Sequence, residues 1–426
     1  MKTAGLAGRR PPRAVLCLLV VVLVGIFPLC LAYSAPQAAE TPVPAGATNS
    51  AYLEFDVAAQ PLVVWGLSLT REPKAFQKEP DTGGRKVCRG SFTFGTPAEQ
   101  PTAFLWDYTK GKLWLDLNHN RDLTDDPEGA LSCPVSRLNY FYQSFPNVRF
   151  KVKSSRGNYP VCLDLNLYNP EGPYLSGNAG FRSRWVGKVV LGGQEYQVGR
   201  ADAAPNQFGM DNQGSLLLRP WDQRQLSWDL MNGSLDAFPY SQNLFFGGQA
   251  YRVDCTFLEQ DGTGKFKIVF REKAVELGDV NLAGKLIERL VLAGRPQQNN
   301  QNQTVFTTVL DRPGPVVKIP LGAYGQVQVS LKAGGMSAHN EARYGGAAPV
   351  VHVVANAATP PTLNVGGPLT NSISAQTQGR RLAMSYQLLG AGGALYQMNE
   401  QDRSHPPGFV IYKKGKAIHR GQFEFG

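Results

Sequence analysis

Short segments in which apolar and polar residues alternate occupy most of the chain. Examples are "TAFLWDY", "GKLWLDLN", "YPVCLDLNLY" and "KFKIVFRE". A period of two is typical of strands with one buried face, and Gly and Pro between such segments are typical of turns. Only "DQRQLSWDLMNG" favours a short helix. The pattern therefore predicts an all-β protein, a multidomain arrangement of β-sandwiches built from antiparallel hairpins.

The segment from residue 52 to 272 contains an internal repeat that predicts two similar hairpins. "VLGGQEYQV" at 190–198 matches "FFGGQAYRV" at 245–253, and both place two glycines where a two-residue turn needs positive φ. In each copy a Tyr and a Val then alternate on one face of the returning strand. We expect both hairpins to lie in one β-rich domain over 52–272.

Two smaller β-domains are expected after residue 273. "VVKIPLGAYGQVQVSL" resembles a strand and turn of transthyretin-like modules related to the carboxypeptidase regulatory domain, which implies a transthyretin-like β-sandwich over 273–355. The tract "RPQQNNQNQ" is typical of an exposed hairpin insertion. "NAATPPTLNVGGP" is typical of a linker, and the alternating segments beyond it predict an immunoglobulin-like or transthyretin-like β-domain that completes residues 356–426.

The N-terminus has the charge order of a secretory signal. Basic residues precede an uncharged apolar run that ends near residue 32, and small residues follow in a cleavage-like pattern. We expect residues 1–34 to be a signal peptide and 35–51 a linker, with an uncleaved anchor as the alternative. The mature protein is then secreted, periplasmic or attached to the cell envelope, and no later segment predicts a membrane span.

Net charge and its distribution restrict the partners. The chain has a formal net charge of +10, and the basic excess is concentrated after residue 280. A modest excess of this kind is usually a solubility feature, and it can also favour anionic cell-surface polymers or lipid headgroups. If it serves binding, a polysaccharide or envelope polymer is the expected partner. Basic residues do not cluster among aromatics as nucleic-acid platforms require, so we expect no nucleic-acid binding.

Four cysteines follow the signal: Cys88, Cys133, Cys162 and Cys255. An even number in an oxidising compartment permits two disulfides, and spacing does not choose among the pairings. Buried free thiols are the alternative, because Cys88 and Cys255 share their strand faces with apolar residues.

Side-chain oxygens recur at alternate positions in the loop "DLNHNRDLTDD", which follows an apolar strand. Ca²⁺ takes six to eight hard oxygens, and a loop that spirals round the ion delivers one at each second residue. The spacing therefore predicts a calcium site, and the alternative is an Asx-rich turn that satisfies its own backbone. The candidate ligands are Asp116, Asn118, Asn120, Asp122, Thr124 and Asp126.

This loop resembles the calcium loops of EF-hands and dockerins, and more closely those of secreted β-rich proteins of planctomycete and verrucomicrobial bacteria. The resemblance implies side-chain ligation by Asp116, Asn118 and Asn120. It also implies that Asp122 offers a carbonyl or carboxylate, that Thr124 or its water contributes, and that Asp126 closes the site.

Two departures from the resemblance weaken the expected site. Arg121 stands where Gly is usual, which costs roughly 1 kcal/mol if the turn is left-handed. Pro127 stands where a bidentate Glu is usual, so Asp125, Asp126 or Glu128 must close the site. We expect a dissociation constant for calcium of about 10⁻⁴ to 10⁻³ M.

Other candidate sites have weaker patterns. Asp202, Asn206, Asp211 and Asn212 lack regular spacing and suggest an eroded second loop. The tripeptide Asp81-Thr82-Gly83 belongs to aspartic proteases, but it does not recur, and two copies are needed to share a proton.

Aromatic side chains are the remaining candidates, because exposed rings can stack on sugars and buried ones form cores. They are Tyr140, Phe141, Tyr142, Phe145, Trp185, Trp221 and Trp228.

These observations favour an exported, calcium-stabilised β-protein with a binding or structural role at the cell envelope. No residue set indicates catalysis, so a non-enzyme is expected. The alternative is a secreted carbohydrate-active or other hydrolase whose carboxylates the sequence does not identify, since two such carboxylates can lie at any spacing.

Overall fold

The computed structural model describes residues 48–423 with twelve gaps. The segments it leaves out are 73–75, 95–100, 135–141, 155–156, 203–210, 221–236, 261–262, 296–304, 334–335, 342–349, 380 and 399–405. The predicted signal peptide, most of the linker and the predicted helix lie outside the described residues. So do Tyr140, Phe141, Asn206, Trp221 and Trp228, together with the Gln/Asn tract except its first residue.

Seventeen strands form the N-terminal part of the described chain. They are β1 (Thr48–Val57), β2 (Val63–Gly66), β3 (Ser68–Thr70), β4 (Cys88–Phe92), β5 (Thr102–Asp107), β6 (Lys112–Leu115), β7 (Ala130–Ser132), β8 (Tyr142–Ser154), β9 (Gly157–Tyr168), β10 (Ser176–Phe181), β11 (Ser183–Leu191), β12 (Gln194–Ala201), β13 (Ser215–Pro220), β14 (Ala237–Pro239), β15 (Asn243–Phe246), β16 (Gln249–Gln260) and β17 (Thr263–Glu272).

Thirteen strands follow. They are β18 (Leu277–Leu282), β19 (Ile287–Arg295), β20 (Thr307–Asp311), β21 (Val316–Pro320), β22 (Gly322–Ala333), β23 (Met336–Glu341), β24 (Val350–Val353), β25 (Thr362–Leu363), β26 (Thr370–Gln378), β27 (Arg381–Leu389), β28 (Leu395–Met398), β29 (Gly408–Lys413) and β30 (Lys416–Gln422). Short 3-10 turns occur at Pro127–Gly129 and Ala391–Gly393. The prediction of an all-β fold is confirmed.

One large sheet runs through both halves of the chain. Its strand order is β14-β13-β12-β11-β1-β17-β16-β15-β20-β19-β22-β23-β28-β27-β26, and β24 pairs with β22 beside this path. The only parallel contact on the path is the pairing of β15 with β20. Through this pair the sheet passes from the N-terminal strands to those after residue 273.

The repeated sequence forms the two predicted hairpins. β11 pairs with β12 and β15 with β16, and each turn consists of two glycines with positive φ. Those φ values are 56° and 80° at Gly192 and Gly193, and 58° and 80° at Gly247 and Gly248. This conformation is strained for residues with a side chain, which explains why the glycines recur.

The first hydrophobic core lies between the large sheet and two smaller sheets. The smaller sheets have the orders β2-β10-β9-β8 and β3-β4-β5-β6-β7. Trp185 of β11 packs against Tyr159 of β9, with ring centroids 4.8 Å apart. On the other small sheet, Phe92 contacts Phe150 at 6.1 Å. The sheet that carries β6 is thus held firmly by the core, and β6 leads directly into the acidic loop.

A second core is shared by residues on both sides of the linker predicted at 356–368. Val280, Leu290 and Tyr324 pack in one cluster with Leu363 and Tyr396. β25 also pairs in parallel with β18. The strands from β18 to β28 therefore build one common core in this structure, and β29 and β30 form a separate two-stranded sheet.

All four cysteines that follow the signal are buried free thiols. Of the two alternatives that the sequence leaves open, the structure has the unpaired one. Burial raises the pKa of Cys88 to about 11 and that of Cys255 to about 12, so both thiols stay protonated at neutral pH.

Candidate metal centre

The acidic loop connects β6 to β7 and closes on itself through a glycine. Leu113 and Leu115 of β6 are buried and fix the start of the loop. At its end, a Cβ on Gly129 would lie 2.4 Å from the carbonyl oxygen of Leu115. Only glycine permits this approach, so the two ends of the loop meet beside the core.

Successive Asx turns coil the backbone of the loop. The amide of Asn120 donates to Asn118 Oδ1 at 3.0 Å, and the amide of Asp122 donates to Asn120 Oδ1 at 2.7 Å. The amide of Thr124 donates to Asp122 Oδ1 at 2.8 Å. Each side-chain oxygen thus stabilises the backbone two residues later, and the oxygens follow one another along a coil with a period of two.

Two residues without the freedom of glycine adopt left-handed conformations in this coil. His119 has a φ of 60° and Arg121 a φ of 68°. The Arg121 turn directs its amide to Asp116 Oδ2, which accepts at 3.2 Å. The sharp left-handed turn expected where glycine is usual is therefore kept by an arginine, at a cost of about 1 to 2 kcal/mol.

Asp116 is the most deeply buried polar residue of the loop. Only 2% of it is exposed, and its Oδ1 has no hydrogen-bond partner among the described residues. A buried carboxylate oxygen without a partner costs about 1 to 3 kcal/mol or more. Among the groups able to offset that cost, a cation is the best match to a charged oxygen.

Asp125 is the residue on which the amide side chains converge. Asn118 Nδ2 donates to its Oδ1 at 3.2 Å, and Asn120 Nδ2 donates to its Oδ2 at 2.6 Å. Sequence spacing offers Asp125 only as one of three residues that could close the site. The structure distinguishes it, because it alone contacts the side chains of two predicted ligands.

Asp126 lies next to the other carboxylates but supports the backbone. Its Oδ2 accepts a hydrogen bond from the Leu117 amide at 2.9 Å. Burial raises the pKa of Asp126, and the negative charges of Asp125 and Asp116 raise it further. Asp126 therefore lies close enough to Asp116 and Asp125 to be repelled by each of them, and a divalent cation would relieve that repulsion.

Asp122 and Thr124 contact each other and the segment before β4. Asp122 Oδ1 accepts from Thr124 Oγ1 at 2.5 Å, and Asp122 Oδ2 lies 3.7 Å from Lys78 Nζ. Hydrogen bonds from Thr124, together with the nearby Lys78, lower the pKa of Asp122. With its side chain engaged in this way, Asp122 has its carbonyl left as the group to offer an ion.

Backbone hydrogen bonds attach the loop to residues 77 and 78. The amide of Gln77 donates to the Arg121 carbonyl at 2.9 Å, and the amide of Leu123 donates to the Lys78 carbonyl at 3.0 Å. Leu123 is 1% exposed, which anchors the middle of the loop by burial. Any ligand that orders the loop therefore also orders this neighbouring segment.

The donor set suits calcium better than a transition metal. Across the described ranges, no three His, Cys, Asp or Glu side chains are arranged so that they could hold a metal ion by themselves. The loop combines carboxylates with amide and backbone oxygens, and such hard ligands suit Ca²⁺. The partnerless oxygen of Asp116 fits a cation, and the group that would hold it comprises Asp116, Asn118, Asn120 and Asp125.

The second acidic stretch has structural partners. Asp202 forms a buried ion pair with Arg200 at 2.9 Å and accepts a hydrogen bond from Tyr159. Asp211 Oδ1 accepts from the Phe257 amide at 2.9 Å, and Asn212 Oδ1 accepts from the amide of Cys255 at 2.8 Å. These side chains therefore hold β16 and the strand ends.

The remaining sequence candidates are distributed between the core and the surface. Trp185 and Phe145 are fully buried, whereas Tyr142 is half-buried and stacks on Tyr168 with centroids 5.1 Å apart. Asp81 is exposed and accepts from the Gly83 amide at 2.7 Å in an ordinary turn.

A cleft of about 270 Å³ lies where β2, β4 and β10 meet. It is lined by Trp65, Phe92, Phe181 and small or hydroxyl-bearing residues, and its lining contains no Asp, Glu, His or Cys. The cleft does not bring together the paired carboxylates that a hydrolase of this kind needs.

Comparison with known proteins finds no matching family model, no similar curated protein and no similar solved structure. In the part of the chain that the structure describes, no helix has the length and apolar character of a membrane span.

Proposed function

We propose that the protein is an exported, calcium-stabilised β-protein with a binding or structural role at the cell envelope. Calcium binding is proposed because the buried Oδ1 of Asp116 lacks a hydrogen-bond partner among the described residues and lies at the start of a coil of alternating side-chain oxygens. Export is proposed from the signal-like N-terminus of the sequence.

In this proposal the ion has a structural task. It would be held by Asp116, Asn118, Asn120 and Asp125, with a backbone carbonyl and water completing a shell of six or more oxygens. Because the loop hydrogen-bonds to residues 77 and 78, ion binding would stabilise the small sheet and the adjoining segment together. A ligand that binds only the folded form stabilises it by mass action.

Calorimetric titration of Ca²⁺ into metal-free protein tests the proposal. We expect one site with a dissociation constant of about 10⁻⁴ to 10⁻³ M. Asp125→Ala removes the carboxylate on which both asparagines converge and should weaken binding about tenfold or more. Asp81→Ala, an exposed carboxylate in a different turn, is the matched control and should bind like the wild type. Absence of calcium binding by the wild type would refute the metal site.

A further inference from the structure

The two C-terminal strands form an exposed cationic ribbon. β29 and β30 pair with each other and are joined by a turn at Lys414 and Gly415. Lys413, Lys414 and Lys416 surround this turn and are exposed, and every residue of 416–420 is exposed as well. We call β29, β30 and their turn the lysine ribbon.

The lysine ribbon carries charge in an arrangement that costs stability. Lys413 lies directly opposite Lys416 in the register, and like charges at such positions repel. Lys414 has a φ of 49°, a conformation that glycine or asparagine adopts more readily. A two-stranded ribbon is only marginally stable by itself. Repulsion between these lysines therefore destabilises an element that is already only marginally stable.

The described chain does not neutralise these charges. Described residues between 350 and 423 include no Asp or Glu, and none of the ion pairs found in the described ranges involves the three lysines or Arg420. An external anion can pair with these exposed cations. Charge complementarity thus indicates a polyanionic partner.

We propose that the lysine ribbon binds an anionic polysaccharide, one that carries carboxylate or sulfate groups. The inference rests on the binding role proposed above and names its partner class. The neighbouring hairpin of β26 and β27 favours a sugar polymer, because it exposes uncharged hydrogen-bonding side chains, Ser374, Gln376 and Thr377. Rings of Tyr386 and Phe423, 5.3 Å apart, join this hairpin to the end of the ribbon that lies opposite the lysine turn, so an extended polymer would contact both elements.

A membrane surface fits the same charges less well. The turn itself carries lysines and glycine, and the ribbon beside it exposes one large aliphatic side chain, Ile418, which is less than the apolar face that enters a bilayer. A polysaccharide presents anionic groups and hydroxyls along one chain, which match the lysines of the ribbon and the amide and hydroxyl side chains of the β26–β27 hairpin. The observations therefore favour the polymer over the lipid.

Affinity chromatography on immobilised polygalacturonate and dextran sulfate, in EGTA, tests the inference. The triple variant Lys413→Gln, Lys414→Gln, Lys416→Gln should bind roughly tenfold more weakly or worse at about 50 mM NaCl. The control variant Lys86→Gln, Lys188→Gln, Lys265→Gln changes the net charge equally, but each of its lysines pairs with a glutamate in the structure. It should keep most of the affinity.

Several results would overturn the inference. The first is an equal loss of affinity for the two matrices in the ribbon variant and in the control variant. The second is a wild-type protein that neither matrix retains, and the third is stronger binding to anionic phospholipid vesicles or to duplex DNA than to the polysaccharides. Exposed lysines also protect strand edges from aggregation, so the Gln variant could lose binding because it aggregates. A second variant with Glu at positions 413, 414 and 416 keeps a charged and soluble edge but reverses the charge. It should not bind the anionic matrices, and its retention on them would contradict the proposal. Because EGTA is present, these outcomes are independent of the calcium site.

Discussion

Replacement of Asp116 by Asn should separate the two roles of its carboxylate. In the wild type without calcium, the buried Oδ1 of Asp116 lacks a partner, and the carboxylate of Asp116 repels that of Asp126. Asn keeps the acceptor for the Arg121 amide but removes the negative charge. The variant should therefore be as stable as the wild type, or more stable, in EGTA, and should lose its response to calcium.

The expected size of the calcium response follows from mass action. With a dissociation constant of about 10⁻⁴ to 10⁻³ M and about 10 mM Ca²⁺, the folded form gains roughly 1.4 to 2.7 kcal/mol. For a cooperative unit of some 200 residues this corresponds to a rise in Tm of about 3 to 10 °C. The Asn variant should shift by less than about 1 °C.

Thermal unfolding followed by circular dichroism or a fluorescent dye measures both effects. Wild type, Asp116→Asn and the surface control Asp81→Asn are compared in EGTA, in Mg²⁺ and in Ca²⁺. The control should respond as the wild type does, since Asp81 only accepts a hydrogen bond in an exposed turn. A calcium-induced shift of equal size in the Asp116 variant would show that the ion binds elsewhere, and the reasoning from the buried oxygen would fail.

Three further predictions concern strain and buried charge. Arg121 has a φ of 68°, which Asn adopts more readily than Arg and a β-branched residue adopts least readily. Arg121→Asn should therefore stabilise the protein by up to about 1 kcal/mol, and Arg121→Val should destabilise it. Equal denaturant midpoints for the two variants would contradict this. Burial raises the pKa of Asp107, but side-chain and backbone hydrogen bonds outweigh it and lower the pKa overall. The stability that Asp107 contributes is thus present above about pH 4 and lost as the pH falls through its lower folded pKa, so Asp107→Asn should flatten the acid limb of a stability profile. Arg200→Met should cost about 3 to 5 kcal/mol in urea unfolding, and less when combined with Asp202→Asn, since the single variant leaves a buried charge unpaired.

Alternation and glycine placement made the strands and the repeated hairpins predictable. The leucines of β6 alternate because one face of the strand is buried, and the paired glycines at 192–193 and 247–248 occur because each turn needs positive φ. Both requirements involve only residues that are close in sequence. The pairing of β15 with β20 and of β18 with β25 joins segments that are far apart in sequence. The residue pattern within a strand does not specify which distant strand it pairs with. The second core, which is shared by strands before and after the predicted linker, could therefore not be predicted from the sequence.

Within the loop, sequence spacing located the coil but not the role of each side chain. A period of two places oxygens correctly along the chain, and Asn118 and Asn120 follow it. Which acid contacts the two asparagine side chains depends on the path of the backbone at the end of the loop, where Gly129 lies against Leu115 and Asp126 accepts from the Leu117 amide. Asp125 could therefore be named as one of three alternatives, but only the folded loop distinguishes it.

The two acidic stretches show two ways in which this fold holds a buried aspartate. Asp202 is almost as buried as Asp116, yet its charge is met by the guanidinium of Arg200, which itself lies 3.9 Å from the Phe266 ring centroid. An arginine within the chain thus performs at Asp202 the task that a soluble cation would perform at Asp116. A carboxylate that is neutralised from within needs no ring of further oxygens around it, and the neighbouring Asp211 and Asn212 accept from backbone amides of β16 instead. No ion pair to Asp116 occurs in the described part of the chain, and side-chain oxygens follow it at alternate positions of its loop.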